Sequence, residues 1–175
     1  MLRDDVLSRL QALPASARRE AYLDFVRDKG EEALWKGLGP EHLTASAFVF
    51  SPDADRTLMC FHRKGGFWVQ VGGHLEHGDR SLAAAALREA GEESGLVDLE
   101  LVGEGITDLD RHELSGGFTC AAHWDIGFTM IADPASALTV SKESRDVRWF
   151  PVDALPDGLA PGCARRVQGA RAVLG

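Results

Sequence analysis

Three glutamates crowd one short segment of the chain: Glu89, Glu92 and Glu93, at relative positions i, i+3 and i+4. In a helix that spacing puts them on one face. Like charges so placed repel one another, so helix stability does not ask for them. A divalent cation turns the repulsion into attraction, and hard carboxylate oxygens suit Mg²⁺ or Mn²⁺. Just upstream runs Gly72-Gly73-His74-Leu75-Glu76-His77-Gly78-Asp79. Glycine tolerates unusual backbone angles and lets a loop pass close to the same site. The competing reading is a solvated acidic helix face. The glycine-rich approach, the Arg88-Glu89 pair and the closing Gly95 coincide with the glutamates and favour a metal centre.

The pattern resembles the Nudix box: glycine, five residues, glutamate, seven residues, then Arg-Glu-apolar-x-Glu-Glu-x-Gly-apolar. The second half is matched by Arg88, Glu89, Ala90, Glu92, Glu93, Gly95 and Leu96. In the first half Gly73 fits the opening glycine, but Asp79 stands where glutamate is usual. Eight residues separate Asp79 from Arg88, and Val71 stands where a proline often precedes the glycines. The approach from Trp68 to Gly73, and the stretch from Val147 to Leu155, resemble strands flanking the box and closing the fold.

The resemblance implies an α/β fold, a Nudix-like α/β/α sandwich with a mixed sheet. It implies hydrolysis of a nucleoside diphosphate linked to another group, a nucleoside triphosphate or a nucleotide sugar, with Mg²⁺ (or Mn²⁺) as cofactor. Carried over position by position, Glu89, Glu92, Glu93 and the Gly73 carbonyl become metal ligands. Asp79 becomes the ion-pair partner of Arg88, which fixes the neighbouring Glu89. The extra residue predicts a bulged loop that still brings Asp79 or Glu76 to Arg88, with Glu92 as another partner four residues on. In parts of the family a glutamate on a late loop activates water. Glu143, ahead of the strand at Val147, is the best-placed candidate here, with Glu113 next and Glu93 the choice within the box.

The chemistry agrees with this from first principles. A diphosphate repels an incoming hydroxide, and carboxylate-held cations can neutralise it, orient it and lower the pKa of bound water. In-line attack then depends mainly on positioning and electrostatics. No Ser-His-Asp grouping is apparent. The six histidines suggest a zinc centre among His74, His77, His112 and His123, but their spacing matches no standard zinc pattern and carboxylates dominate near the box. His74 reads as a substrate contact, His42 and His62 as structural. Arg63, Lys64, Arg111 and Arg145 lie in loop-like sequence and can grip phosphate, Arg63 foremost. Trp124 can stack on a base, whereas Trp68 reads as core. A non-catalytic Nudix-like nucleotide-binding regulator is the alternative, disfavoured because all three box glutamates are present. Isomerisation of isopentenyl diphosphate is a third option, for which the context of Cys60-Phe61-His62 is wrong.

The 175 residues suffice for one domain with a substantial core. The net charge of −8 argues against nucleic acid polymers as partners. The apolar runs are too short to span a bilayer and the N-terminus has no signal-peptide pattern, which predicts a cytoplasmic monomer or homodimer. Cys60, Cys120 and Cys163 form no Cys-x-x-Cys pair, and the first two read as small core residues.

The pattern predicts a helical N-terminal extension over residues 1–38 packed on the same domain, and a Nudix hydrolase domain over 39–175. Val6, Leu7, Leu10 and Leu13 make a first apolar stripe ended by Pro14, and Ser16 caps a second helix ending near Gly30, with Trp35 and Leu38 packing a last turn. Strands are expected around Leu43–Val49, Leu58–Phe61, Phe67–Val71, Leu99–Val102, Phe118–Ala132 and Val147–Phe150. The region Gly103–Gly117 reads as a strand-loop with little periodicity. An alanine-rich helix over Leu82–Ser94 carries the box, and a last helix starts near Pro161.

Overall fold

The computed structural model describes residues 1–114 and 119–175. Among these an eight-stranded mixed sheet has helices on both faces. Its central ladder is a parallel pair, β1 (Glu41–Phe50) and β7 (Ala122–Ile131), in register along its whole length from Glu41↔Ala122 to Phe50↔Ile131. Strands β2 (Arg56–His62), β3 (Phe67–Val69) and β8 (Ser144–Pro151) extend one side, with β2 against β1, and β5 (Glu100–Leu101) and β6 (Asp108–Glu113) pair with β7.

One departure from expectation shapes the molecule. The stretch Phe67–Val71 is not one strand. β3 pairs with β2, the chain turns at Gln70, and β4 (Val71–His74) pairs with β1. The sheet splits there and a cleft opens between the halves.

Side chains alternate across β1 as a strand demands. Leu43, Ala45, Ala47 and Val49 join the larger core cluster, while Phe48 and Phe50 belong to the smaller one. The larger cluster takes in α1 (Leu2–Ala12), α2 (Ala17–Lys29), the single turn α3 (Glu31–Leu34) and α4 (Leu82–Ser94). The smaller one takes in α5 (Cys163–Arg171).

α4 starts on Ser81, whose hydroxyl accepts from the Ala84 N–H, and ends at Gly95 in the left-handed region at φ 77°. A Cβ at Gly95 would lie 2.7 Å from Thr139, so both angle and space require glycine. Ala83, Ala86 and Ala90 let α4 sit close on the sheet. α1 is tied to it: Asp5 accepts from the Leu82 N–H at 2.8 Å, in α4's first turn. Ser16 caps α2 as expected, and Tyr22 of α2 donates to the Asp125 carbonyl at 2.9 Å. Leu38, expected to pack, is exposed. The strand-loop expected after Gly103 holds β6, whose pattern is weak because Asp108, Asp110 and His112 face polar partners and only Leu109 on it is buried and apolar. The expected strand start at Phe118 lies outside the described residues. No described helix is long and apolar enough to cross a membrane.

Candidate active site

The cleft lies where the split sheet meets α4. Thr44, Ser46, Gln70, Gly72, Gly73, Glu93 and Glu143 line it. β4 runs between β1 and α4, so its glycines have little room. A Cβ on Gly73 would come within 2.5 Å of a Glu89 carboxylate oxygen, and one on Gly72 within 2.5 Å of Ser46. The Glu89 carboxylate is thereby pressed against the Gly73 backbone.

Arg88 holds the other side. Its Nε donates to Asp79 Oδ1 at 3.0 Å and its Nη2 to Asp79 Oδ2 at 3.0 Å, a two-pronged pair. Nη2 also donates to the His74 carbonyl at 2.9 Å, and Nη1 to Glu89 at 3.0 Å and to Glu92 at 3.2 Å. Asp79 closes its own turn by accepting from the Glu76 N–H. The loop with the extra residue thus brings Asp79 onto Arg88, with Glu76 at its margin at 3.9 Å. Burial opposes ionisation of Asp79, but the Arg88 guanidinium holds its carboxyl below the usual range. The same bond to Asp79 raises the Arg88 pKa further, so the arginine is a fixed positive post.

The three box glutamates occupy different environments. Glu92 is exposed. Glu89 is largely buried, and burial raises its pKa. Glu93 is 6 % exposed, and its Oε2 accepts from the Gly72 N–H at 2.9 Å with the Cys60 thiol at 3.6 Å. Burial above all, with Glu89 and Glu143 as further negative neighbours, pushes the Glu93 pKa up to about 7. Cys60 is itself buried and its thiol is pushed up, which makes it inert packing beside Glu93.

Glu143 sits in the loop before β8 and lines both the cleft and a neighbouring cavity of about 310 Å³. Lys36, Arg63, Lys64, His62, His74 and His123 also border that cavity. Arg63 lies at its wall but spends two nitrogens on the carbonyls of Lys142 and Ser144, which fixes the loop that presents Glu143. His74 lies between cleft and cavity; burial lowers its pKa to about 4, so it is neutral at pH 7. Trp124 is elsewhere. Its ring is stacked on Phe25 at 4.4 Å and its Nε1 donates to Glu41, because even residues of β7 face the helices while the odd His123 and Asp125 face the cleft. A base-stacking role for Trp124 is therefore corrected to packing. Glu113 is exposed and paired with Arg111. His77 packs on Trp35.

The cleft floor contains residues that inspection of the motif missed. Asp125 is fully buried and accepts from Thr44, Ser46, Gln70 and Arg166. Arg166 of α5, 4 % exposed, also donates to Asp108 at 2.6 Å. Burial opposes charge on Asp125, yet Arg166 keeps its carboxyl below the usual range. The signal was present: Thr44 and Ser46 alternate with apolar neighbours, and Arg166 shares the helical stripe of Cys163, Val167 and Ala170.

The NUDIX domain family matches residues 40–168. No curated protein matches the chain. Among solved structures, a hydrolase of the NUDIX family from Clostridium perfringens is 19% identical, with a TM-score of 0.65 over 77% of this chain and 98% of that one. A C. elegans Ap4A hydrolase in a binary complex is 17% identical, with a TM-score of 0.62 over 75% and 96% of the two chains. The NUDIX domain of Shewanella oneidensis NrtR, complexed with ADP ribose, is 20% identical, with a TM-score of 0.57 over 76% and 88%.

Proposed function

The chain belongs to the NUDIX domain family of hydrolases, and from that premise we propose that it hydrolyses a diphosphate linkage in a nucleoside diphosphate-linked small molecule, with Mg²⁺ or Mn²⁺ as cofactor. A nucleoside triphosphate or a nucleotide sugar is the substrate class, and the Ap4A hydrolase and ADP-ribose-bound neighbours support a nucleotide ligand. Residues 1–38 are read as an extension of the same domain, and residues 39–175 as the hydrolase domain. A net charge of −8 supports small substrates over nucleic acid polymers. A monomer or homodimer in the cytoplasm completes the reading.

The carrying observation is Glu93: a buried carboxylate whose hydrogen-bond partners, a backbone N–H and a thiol, leave its charge uncompensated, beside Glu89 pressed on Gly73. An all-oxygen donor set with surplus negative charge fits a hard divalent cation. Glu89, Glu92, Glu93 and the Gly73 carbonyl would hold it. Such a cation supplies neutralisation of the diphosphate and a bound water of lowered pKa.

The chain's own groups do the rest. Arg88, locked by Asp79, keeps Glu89 in place. Lys36, Arg63 and Lys64 around the adjoining cavity attract phosphate oxygens. Neutral His74 exchanges hydrogen bonds with the bound substrate without adding charge. Glu143 accepts the proton of the attacking water at its carboxylate, with Glu93 as the other group able to do so. Retention of all three box glutamates favours this over a nucleotide-binding regulator.

The reading is tested by incubating the chain with nucleoside triphosphates, nucleotide sugars and dinucleoside polyphosphates, with Mg²⁺ and with chelator. Mg²⁺-dependent release of a phosphorylated product from one class is expected. Binding of all classes without release overturns the reading in favour of the regulator. On the substrate so found, Glu143→Gln should lower kcat with little change in KM, because a transition-state role is removed. Unchanged kcat would move the base into the box.

A further inference from the structure

Four of the six histidines lie in one rank beside the cleft. In the sheet register His42 of β1 stands beside His123 of β7, and His123 beside His112 of β6. His74 at the end of β4 approaches the same rank, its ring centroid 5.1 Å from that of His42 and 5.3 Å from that of His123. Cys120, just ahead of β7, turns its thiol onto the rank, with Sγ 4.0 Å from His42 Nε2.

We propose that His42, Cys120 and His123 form a second metal site, one that takes a thiophilic divalent cation of the zinc class and is separate from the box carboxylates. One ligand atom from each of the three lies within 4.8 Å of the others. A tetrahedral centre with metal–nitrogen bonds of about 2.0 Å and metal–sulfur bonds of about 2.3 Å has ligand atoms roughly 3.3–3.8 Å apart. Small side-chain rotations close the difference, and Cys120 lies outside the regular strands. Two imidazoles and a thiol select zinc-like ions over Mg²⁺. Of the carboxylates on this face, Asp125 is already engaged by Thr44, Ser46, Gln70 and Arg166, and Asp110 by His112 and Arg166, while Glu143 borders the same cavity as Cys120 and His123; the trio itself offers nitrogen and sulfur.

A second observation points the same way. His74 Nε2 is buried and without a hydrogen-bond partner among the described residues. An unpaired buried imidazole nitrogen is costly, and His42, within the trio, carries another in its Nδ1. The site does not depend on the hydrolytic reading, because none of the three ligands belongs to the box.

The test loads the reduced, metal-free chain with Co²⁺ and separately with Zn²⁺, in excess Mg²⁺. The expected result is one equivalent of Zn²⁺ retained on dialysis, and a thiolate-to-cobalt charge-transfer band with the strong visible absorption of tetrahedral Co²⁺. Cys120→Ser should abolish the band and weaken Zn²⁺ binding at least about tenfold, with circular dichroism unchanged. Glu89→Gln and Glu92→Gln together should leave both signals intact. No charge-transfer band in the wild type, a band that persists in Cys120→Ser, or binding lost with the two glutamates would each overturn the proposal. The conservative Cys120→Ser decides the question even if a histidine variant at the core position His42 fails to fold.

Discussion

Replacing Glu93 by glutamine is expected to lower turnover by roughly 10²–10⁴-fold, the range for a group acting on the reacting proton or on charge in the transition state. The fold should survive, because the amide oxygen of glutamine can still accept from the Gly72 N–H that Glu93 now engages. The pH dependence of stability separates this from a general loss of structure. Burial raises the folded-state pKa of Glu93 to about 7, against about 4.3 in an unfolded chain. Between those values the folded protein holds a proton that the unfolded chain has lost. Stability of the metal-free wild type therefore falls as pH rises through that window, and levels off above it. Glu93→Gln lacks this slope, so above pH 7 the metal-free variant should be at least as stable as the wild type in urea. Near-full activity in Glu93→Gln would show that the site is misassigned.

The largest stability effect is expected at Arg166. Replacing it by leucine leaves Asp125 and Asp108 without their buried cation, a loss of about 3–5 kcal/mol for a broken buried ion pair. The ion pairs it makes are short, 2.6 Å to Asp108 and 2.5 Å to Asp125. The pH dependence has a definite sign. In the wild type Asp125 is held ionised, so its contribution is present above the unfolded carboxylate pKa and is lost as pH falls through its lowered folded value. In the variant Asp125 is buried without compensation and prefers its proton. The deficit should therefore be larger at pH 7 than at pH 4, as read by urea denaturation at both. A deficit below about 1 kcal/mol at pH 7, typical of a surface pair, would mean that the network is not buried as described.

Much of the fold was legible because its signals are local. Ser16 and Gly95 mark helix ends through their own side chain or backbone angle. The box helix announced its charged face by spacing alone. The Asp79–Arg88 contact was legible only as a requirement, since a loop with an extra residue can close in several ways. β6 was legible only as a strand-loop without bounds because its inward face is Asp108, Asp110 and His112, whose partners Arg166 and His123 are remote in sequence. The turn at Gln70 was hidden because one apolar run, Phe67–Val71, serves two ladders. Trp124 was misread for the opposite reason. An aromatic in a strand points to one face or the other, and only the register with β1 shows that odd positions of β7 line the cleft.

The most direct test of metal-assisted hydrolysis at the box is turnover of the cleaved nucleotide in oxygen-18-labelled water with Mg²⁺, followed by mass spectrometry of the products. The account predicts one labelled oxygen on a phosphorus-bearing product, formed only when Mg²⁺ is present and not formed by Glu93→Gln. Substrate bound but recovered intact and unlabelled, or label incorporation unaffected by chelation, would contradict it.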